Sequence, residues 1–285
     1  MAANIRISAD STCDLSKELV EQYNVIIRPL YVNLDDKSYQ DGVDIWPDEI
    51  YANYRANKTL PKTAAVSIGE YEDFFKAQTA NGETLIHFSI GSSLSASYNN
   101  ARLAAEDMEN VFVVDTQNLS TGSGLLVLEA CDRVAAGMDA AQIVDEVQAL
   151  VEKSHASFVI DTLEFLHKGG RCSALAMLGA NMLQLKPCIQ VDNQNGGKMD
   201  VCKKYRGSLD KALEMYVKDR LADRSDLDLK RIFITHSGIS DERIEKVHEW
   251  VKQYSNFENI YVTRAGCTIS SHCGPNTLGV LFMTK

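Results

Sequence analysis

Short β-branched runs alternate with helical patterns through the first half of the chain, and this alternation limits the folds open to it. A strand is predicted at 5–10, with Asp14 capping a helix through Leu19 and Tyr23. An extended run at 25–34 ends in the turn Asp35-Asp36-Lys37, and Pro47 opens a short helix. Helix 68–80, strand 84–90, helix 94–108, strand 111–114 and helix 124–136 follow. Such alternation predicts a parallel sheet with crossover helices. One more helix is expected over 140–153, where Ile143, Val144, Val147, Leu150 and Val151 share a face. We place a domain boundary after it, giving an N-terminal α/β domain over 1–155.

The second half reads differently. A strand at 158–160 and a helix lead into Gly169-Gly170, then a nearly all-apolar helix is predicted at 174–185. Strands at 187–191 and 198–203 flank Asn195-Gly196-Gly197, a hairpin signal. A helix with Leu209, Leu213, Val217 and Leu221 on one face follows, then strand 231–235, helix 241–254, and strands 260–263 and 279–283. The pattern predicts an α+β domain over 156–285 with a mixed or antiparallel sheet, so the fold class is α/β in two domains. A length of 285 residues agrees, at about 150 residues per domain.

With 29 Lys+Arg against 39 Asp+Glu, the net charge is −10. That balance argues against nucleic acid and anionic membranes as partners, because it lacks the cationic surplus they demand. No stretch reaches the roughly 18 apolar residues of a membrane span, and no leader-like start is visible. Seven cysteines without CxxC spacing predict reduced thiols and a cytoplasmic setting. Cys267, His272 and Cys273 lack an evident fourth ligand, so no metal is expected. Neither GxxxxGK[ST] nor GxGxxG occurs, so no nucleotide cofactor is expected. No GxSxG elbow occurs; Ser120-Thr121-Gly122-Ser123-Gly124 has another order.

Three predicted strands each run into a small-polar loop. These carry Ser8, Asp10, Ser11 and Thr12; then Ser89, Gly91, Ser92, Ser93 and Ser95; then Asp115, Thr116, Ser120 and Thr121. At the carboxyl edge of a parallel sheet, such hydroxyls and free helix N–H groups suit a carboxylate or phosphate. Helix capping explains the same residues one loop at a time. Among six histidines, His272 alone sits in a small-residue, loop-like segment (270–275), whereas His87 lies inside a strand and is expected to be packed. The apolar helix at 174–185 is either a core helix or the wall of a hydrophobic tunnel.

Seven motifs occur in order along nearly the whole chain. They are Ser11-Thr12-Cys13-Asp14-Leu15, the run from Lys62-Thr63 to Glu70-Tyr71, and Ser92-Ser93-Leu94-Ser95-Ala96-Ser97-Tyr98-Asn99. Asp115 to Ser120 with Gly122 and Gly124 comes next, then Lys168-Gly169-Gly170-Arg171-Cys172-Ser173 and Lys186-Pro187. The last is His272-Cys273-Gly274-Pro275 with Leu278-Gly279. In these motifs the chain resembles the DegV family, the fatty-acid-binding subunits of bacterial fatty acid kinase. The resemblance implies one long-chain fatty acid held in a buried tunnel between two domains. The family's carboxylate-binding threonine falls on Thr63, its serine on Ser92 with Ser93 beside it, and its histidine on His272. It implies no catalysis by the chain itself and no cofactor beyond the bound fatty acid. A separate ATP-dependent kinase subunit phosphorylates the acyl carboxylate, docking on Arg171 and Arg206. Ala64, Val66, Ser93, Ala96 and Asn276 depart from the family's pattern.

Two other readings stand beside this one. A stand-alone hydrolase or phosphoryl transferase would act on a small carbonyl or carboxylate substrate, as the similarity to the dihydroxyacetone kinase substrate-binding subunit and its histidine implies. A structural or regulatory protein would have a filled interdomain cleft.

Overall fold

The computed structural model describes residues 4–172 and 185–285. The apolar helix predicted at 174–185 therefore lies outside the described residues, apart from Leu185, which opens a strand.

Four strands form a wholly parallel sheet in the order Ile26–Arg28, Ile5–Asp10, Thr84–Ser89, Val111–Asp115. Strand order reverses between Ile5–Asp10 and Thr84–Ser89, and the loops leaving their carboxyl ends diverge there, as ligand sites in open α/β sheets require. The run predicted at 25–34 splits at Pro29, which has no N–H for a ladder. Its second part, Tyr31–Leu34, lies between Lys37–Gln40 and Lys62–Ala64 in a small antiparallel sheet.

Asp14 does not cap the first helix. Ser16 does, its Oγ accepting from the Leu19 N–H at 3.4 Å, while Asp14 ends a 3-10 turn at φ 49°. The helix predicted at 94–108 shortens to Ser97–Ala104, because Ser95 Oγ takes the Ser97 N–H and the chain before it bends. The segment read as a loop around His272 is a helix, Cys267–Cys273.

Seven strands form a mixed sheet. Its main path runs Lys198–Arg206, Leu185–Asp192, Ser157–Val159, Leu278–Thr284, Leu227–His236, Asn259–Arg264, with Ser154–His155 beside Leu278–Thr284. Among the described residues of this sheet, only Leu227–His236 and Asn259–Arg264 pair in parallel. The hairpin forms around Asn195-Gly196-Gly197, with a bulge at Cys188/Ile189. Helix Thr121–Ala135 lies between the sheets, and all its residues from Thr121 to Cys131 are buried. One core joins Ile7, Phe88 and Val114 of the parallel sheet to Phe158, Ile189 and Phe233 of the mixed sheet. No described helix is long and apolar enough to cross a membrane.

Candidate functional site

The site is built on helix Cys267–Cys273, whose sequence has little helix propensity of its own. Two carboxylates from the other end of the chain supply what it lacks. Asp41 accepts the Cys267 and Thr268 N–H groups at 2.6 and 3.0 Å, and Asp14 accepts the Gly266 N–H at 2.8 Å. Together they satisfy N–H groups that no residue within the helix can reach. Asp14 is fully enclosed, and burial pushes its carboxyl up to about 8.

In the last turn, His272 Nε2 meets Thr63 Oγ1 at 2.8 Å. Thr63 is the middle residue of Lys62–Ala64, held there by pairing with Val32. A side-chain carbon at Gly169 would run into His272 Nδ1, so the first glycine of the Gly169-Gly170 pair makes room for the imidazole. Burial, with a smaller push from the Arg171 guanidinium, lowers the His272 pKa to about 4. The ring is therefore neutral at pH 7. Its Nδ1 is buried with no hydrogen-bond partner among the described residues, as is Thr268 Oγ1.

Thr63 and His272 line a cavity of about 190 Å³, together with Ser95, Thr268 and Arg171 as polar walls. Leu30, Ile90, Leu94, Leu119, Met199 and Ile269 make it chiefly apolar. Leu119, Ile269 and Cys273 also wall a second, apolar hollow of about 30 Å³, which continues toward Phe158 and Leu281. The arrangement offers hydrogen-bonding groups at one place and hydrocarbon elsewhere, with no lysine among the described residues of the wall.

The remaining expected residues are placed differently. Neither Ser92 nor Ser93 is among the cavity's walls. The Ser92 N–H donates to Asp115 Oδ1 at 3.2 Å, and Ser93 Oγ donates to Gly196 O at 2.8 Å, fastening this loop to the hairpin turn. Ser95, three residues after Ser92, faces the cavity instead. Arg171 stands at the cavity wall and donates to Gly169 O at 2.7 Å. Arg206 is elsewhere, on a surface hollow with Lys203, Lys204, Lys211 and Lys218 that shares no wall with the cavity.

Asp41, Thr268 and Met199 were not singled out from the sequence. Asp41 gives no local signal, since its partner N–H groups lie 226 and 227 residues away.

One constellation has the composition of a hydrolase triad. Ser8 Oγ lies 2.9 Å from His87 Nδ1, and His87 Nε2 lies 3.3 Å from Asp10 Oδ1. All three side chains are buried, and the rings of Tyr71 and Phe75 pack against His87 with centroids 5.4 Å away. Asp10 also accepts the Tyr71 and Ser89 hydroxyls, each at 2.6 Å. This is a buried polar cluster under aromatic rings, and His87 is the packed residue the sequence predicted. Among the described residues, no group of three or more metal-ligating side chains comes together.

The profile described as "uncharacterised protein, DegV family" matches residues 4–285. A DegV domain-containing protein of Clostridium acetobutylicum is 29% identical over 286 residues, with 99% of each chain covered. Among solved structures, a fatty-acid-binding DegV family protein from Thermus thermophilus is 30% identical. It superposes with a TM-score of 0.88 over 99% of this chain and 100% of its own. A stearic-acid-binding protein from Eubacterium ventriosum is 25% identical, with a TM-score of 0.82 over 99% and 98% of the two chains. Agreement in sequence, fold and extent leads to one conclusion: this chain belongs to the DegV family.

Proposed function

We propose that the protein binds a long-chain fatty acid, with its carboxyl group at Thr63 and His272 and its tail in the apolar cavity. The observation that carries this is the Thr63–His272 hydrogen bond at the wall of an otherwise apolar cavity. The Thermus and Eubacterium relatives, described as binding fatty acid and stearic acid, support it. Neutral donors hold a carboxyl without burying a fixed cation, which costs several kcal/mol. Ser95 and Thr268 add hydroxyls in the same wall, while Ser92 and Ser93 keep the loop in place.

Burial of the tail contributes about 0.8 kcal/mol per CH₂, so the hydrocarbon supplies most of the affinity and the head group is merely positioned. We further propose that residues 1–155 and 156–285 act as two domains with the ligand between them. The parallel sheet is drawn from Ile5–Asp10 to Val111–Asp115, and the mixed sheet, apart from the two-residue strand Ser154–His155, from Ser157–Val159 onward, which supports the division.

In this reading the chain is not itself an enzyme. It presents the carboxyl to a separate ATP-dependent fatty acid kinase subunit. Arg171, exposed beside the cavity, and Arg206, in the basic surface hollow, are the proposed docking residues.

Mass spectrometry of an organic extract of the purified protein tests the reading. A fatty acid near one equivalent is expected; a well-folded protein that yields none refutes it. Thr63→Ala and His272→Ala are expected to retain lipid but to lose acyl-phosphate formation at least about tenfold with the kinase present. Variants that purify empty would show that the head group, not the tail, holds the ligand.

A further inference from the structure

We propose that Cys188 and Cys202 form a peroxide-sensitive dithiol that closes to a reversible disulfide across the hairpin bulge. Cys188 and Cys202 are free thiols, and Cys202 is the exposed one of the seven cysteines. Cys188 pairs with Lys203 and Ile189 with Val201, which leaves Cys202 as the extra residue of the bulge. Ile189 and Val201 pack on the core between the sheets, whereas Cys188 and Tyr205 pack on the opposite core under helix Leu209–Leu221. The bulge brings Cys202 to the Cys188 side, where the Cys202 thiol donates to Cys188 O at 3.4 Å. Paired strands lie about 4.7–4.9 Å apart, and a disulfide spans roughly 4.4–6.8 Å between Cα atoms.

The two sulfurs differ in kind. The neighbouring Cys188 thiol, opposed by burial and aided by Arg220, pulls the Cys202 thiol down to about 7. Cys202, with burial, pushes Cys188 up, and Asp219 adds to this. Arg220 also carries a buried Nε without a hydrogen-bond partner among the described residues. Cys202 is thus the accessible attacking thiolate and Cys188 the resolving thiol. The thiolate attacks a hydroperoxide, the O–O bond breaks, an alcohol or water leaves, and Cys202 becomes a sulfenic acid. Cys188 then attacks that sulfur, forming the S–S bond and expelling water. In sum, two thiols and one hydroperoxide give a disulfide, one alcohol or water, and one further water. The strand so pinned carries Lys203, Lys204 and Arg206 of the basic surface hollow. The inference is independent of the lipid-binding reading.

The test uses the full chain, reduced and desalted, then exposed to hydrogen peroxide, capped with iodoacetamide and digested without reductant. The expected map joins the Cys188 peptide to the Cys202 peptide, with dithiothreitol separating them and the other five cysteines capped throughout. Before oxidation, Cys202 is expected to alkylate at least about tenfold faster than any other cysteine. Cys202→Ser, a change at an exposed position, should abolish the link. Cys188→Ala should stop Cys202 at a sulfenic acid that dimedone traps. The proposal is overturned if all seven thiols survive peroxide in the folded protein. It is equally overturned if Cys202 links to a second copy, or oxidises past sulfenic acid while Cys188 stays free.

Discussion

Asp14 takes hydrogen bonds from Ser120 Oγ at 2.5 Å and from the Gly266 N–H at 2.8 Å, and among the described residues no cation offsets its burial. Its carboxyl therefore rises from 3.8 to about 8, with Asp41 adding to the rise. Between those values the native state keeps a proton that the unfolded chain has released. Stability contributed by Asp14 is then full at low pH and is lost as pH rises through about 8. The slope approaches about 1.4 kcal/mol per pH unit. Asp14→Asn keeps an acceptor oxygen for the Gly266 N–H, offers an amide N–H that Ser120 Oγ can accept, and removes the titration. Urea midpoints measured from pH 5 to 8 should fall less steeply for the variant than for the native protein. Equal slopes would mean that Asp14 is ionised throughout. The sequence marked Asp14 as a helix cap, a sound guess from its neighbours. Its actual partners lie 106 and 252 residues away, beyond the reach of local pattern. Thr63 and His272 were legible because they sit in recognisable motifs, and the structure bonds them directly.

At the scale of elements, long periodic segments were readable and short borrowed ones were not. Helices such as Leu209–Leu221 and Asp241–Tyr254 announce themselves by an apolar face. Cys267–Cys273 has small and β-branched residues, and its start is completed by Asp41 from strand-side chain far upstream. No window of sequence contains that information. Asp41→Ala should therefore act on the helix as a unit, leaving the Cys267 and Thr268 N–H groups unpaired at a cost of about 1–3 kcal/mol. Asp41→Asn, which keeps one acceptor, should cost less. Chemical denaturation ranks the three proteins, and an Asp41→Ala midpoint equal to the native one would remove Asp41 as the helix's anchor.

The whole molecule depends on how helix Thr121–Ala135 fastens the mixed sheet to the parallel one. Arg231, on strand Leu227–His236, is 5% exposed and donates to Glu129 Oε1 at 2.9 Å and to Asp132. Lys230 reaches the same two carboxylates at 3.2 and 2.7 Å. A buried pair of this kind adds little net stability over an apolar substitute, yet removing one partner strands the other. Arg231→Ala should cost about 3–5 kcal/mol, and the double change Arg231→Met with Glu129→Gln should recover much of that. Added salt should hardly alter the native contribution, in contrast to the exposed Arg264–Asp48 pair. Because Thr63 and His272 come from parts of the chain 209 residues apart, the clasp and the cavity rise or fall together. Arg231→Ala should thus lose bound lipid along with stability, whereas Thr63→Ala should lose neither. Thermal melts and lipid extracts of the two variants, taken side by side, separate a site held by the fold from one held by its own contacts. If Arg231→Ala melts early but keeps its lipid to the transition, the two halves are joined mainly by the hydrophobic core around that helix.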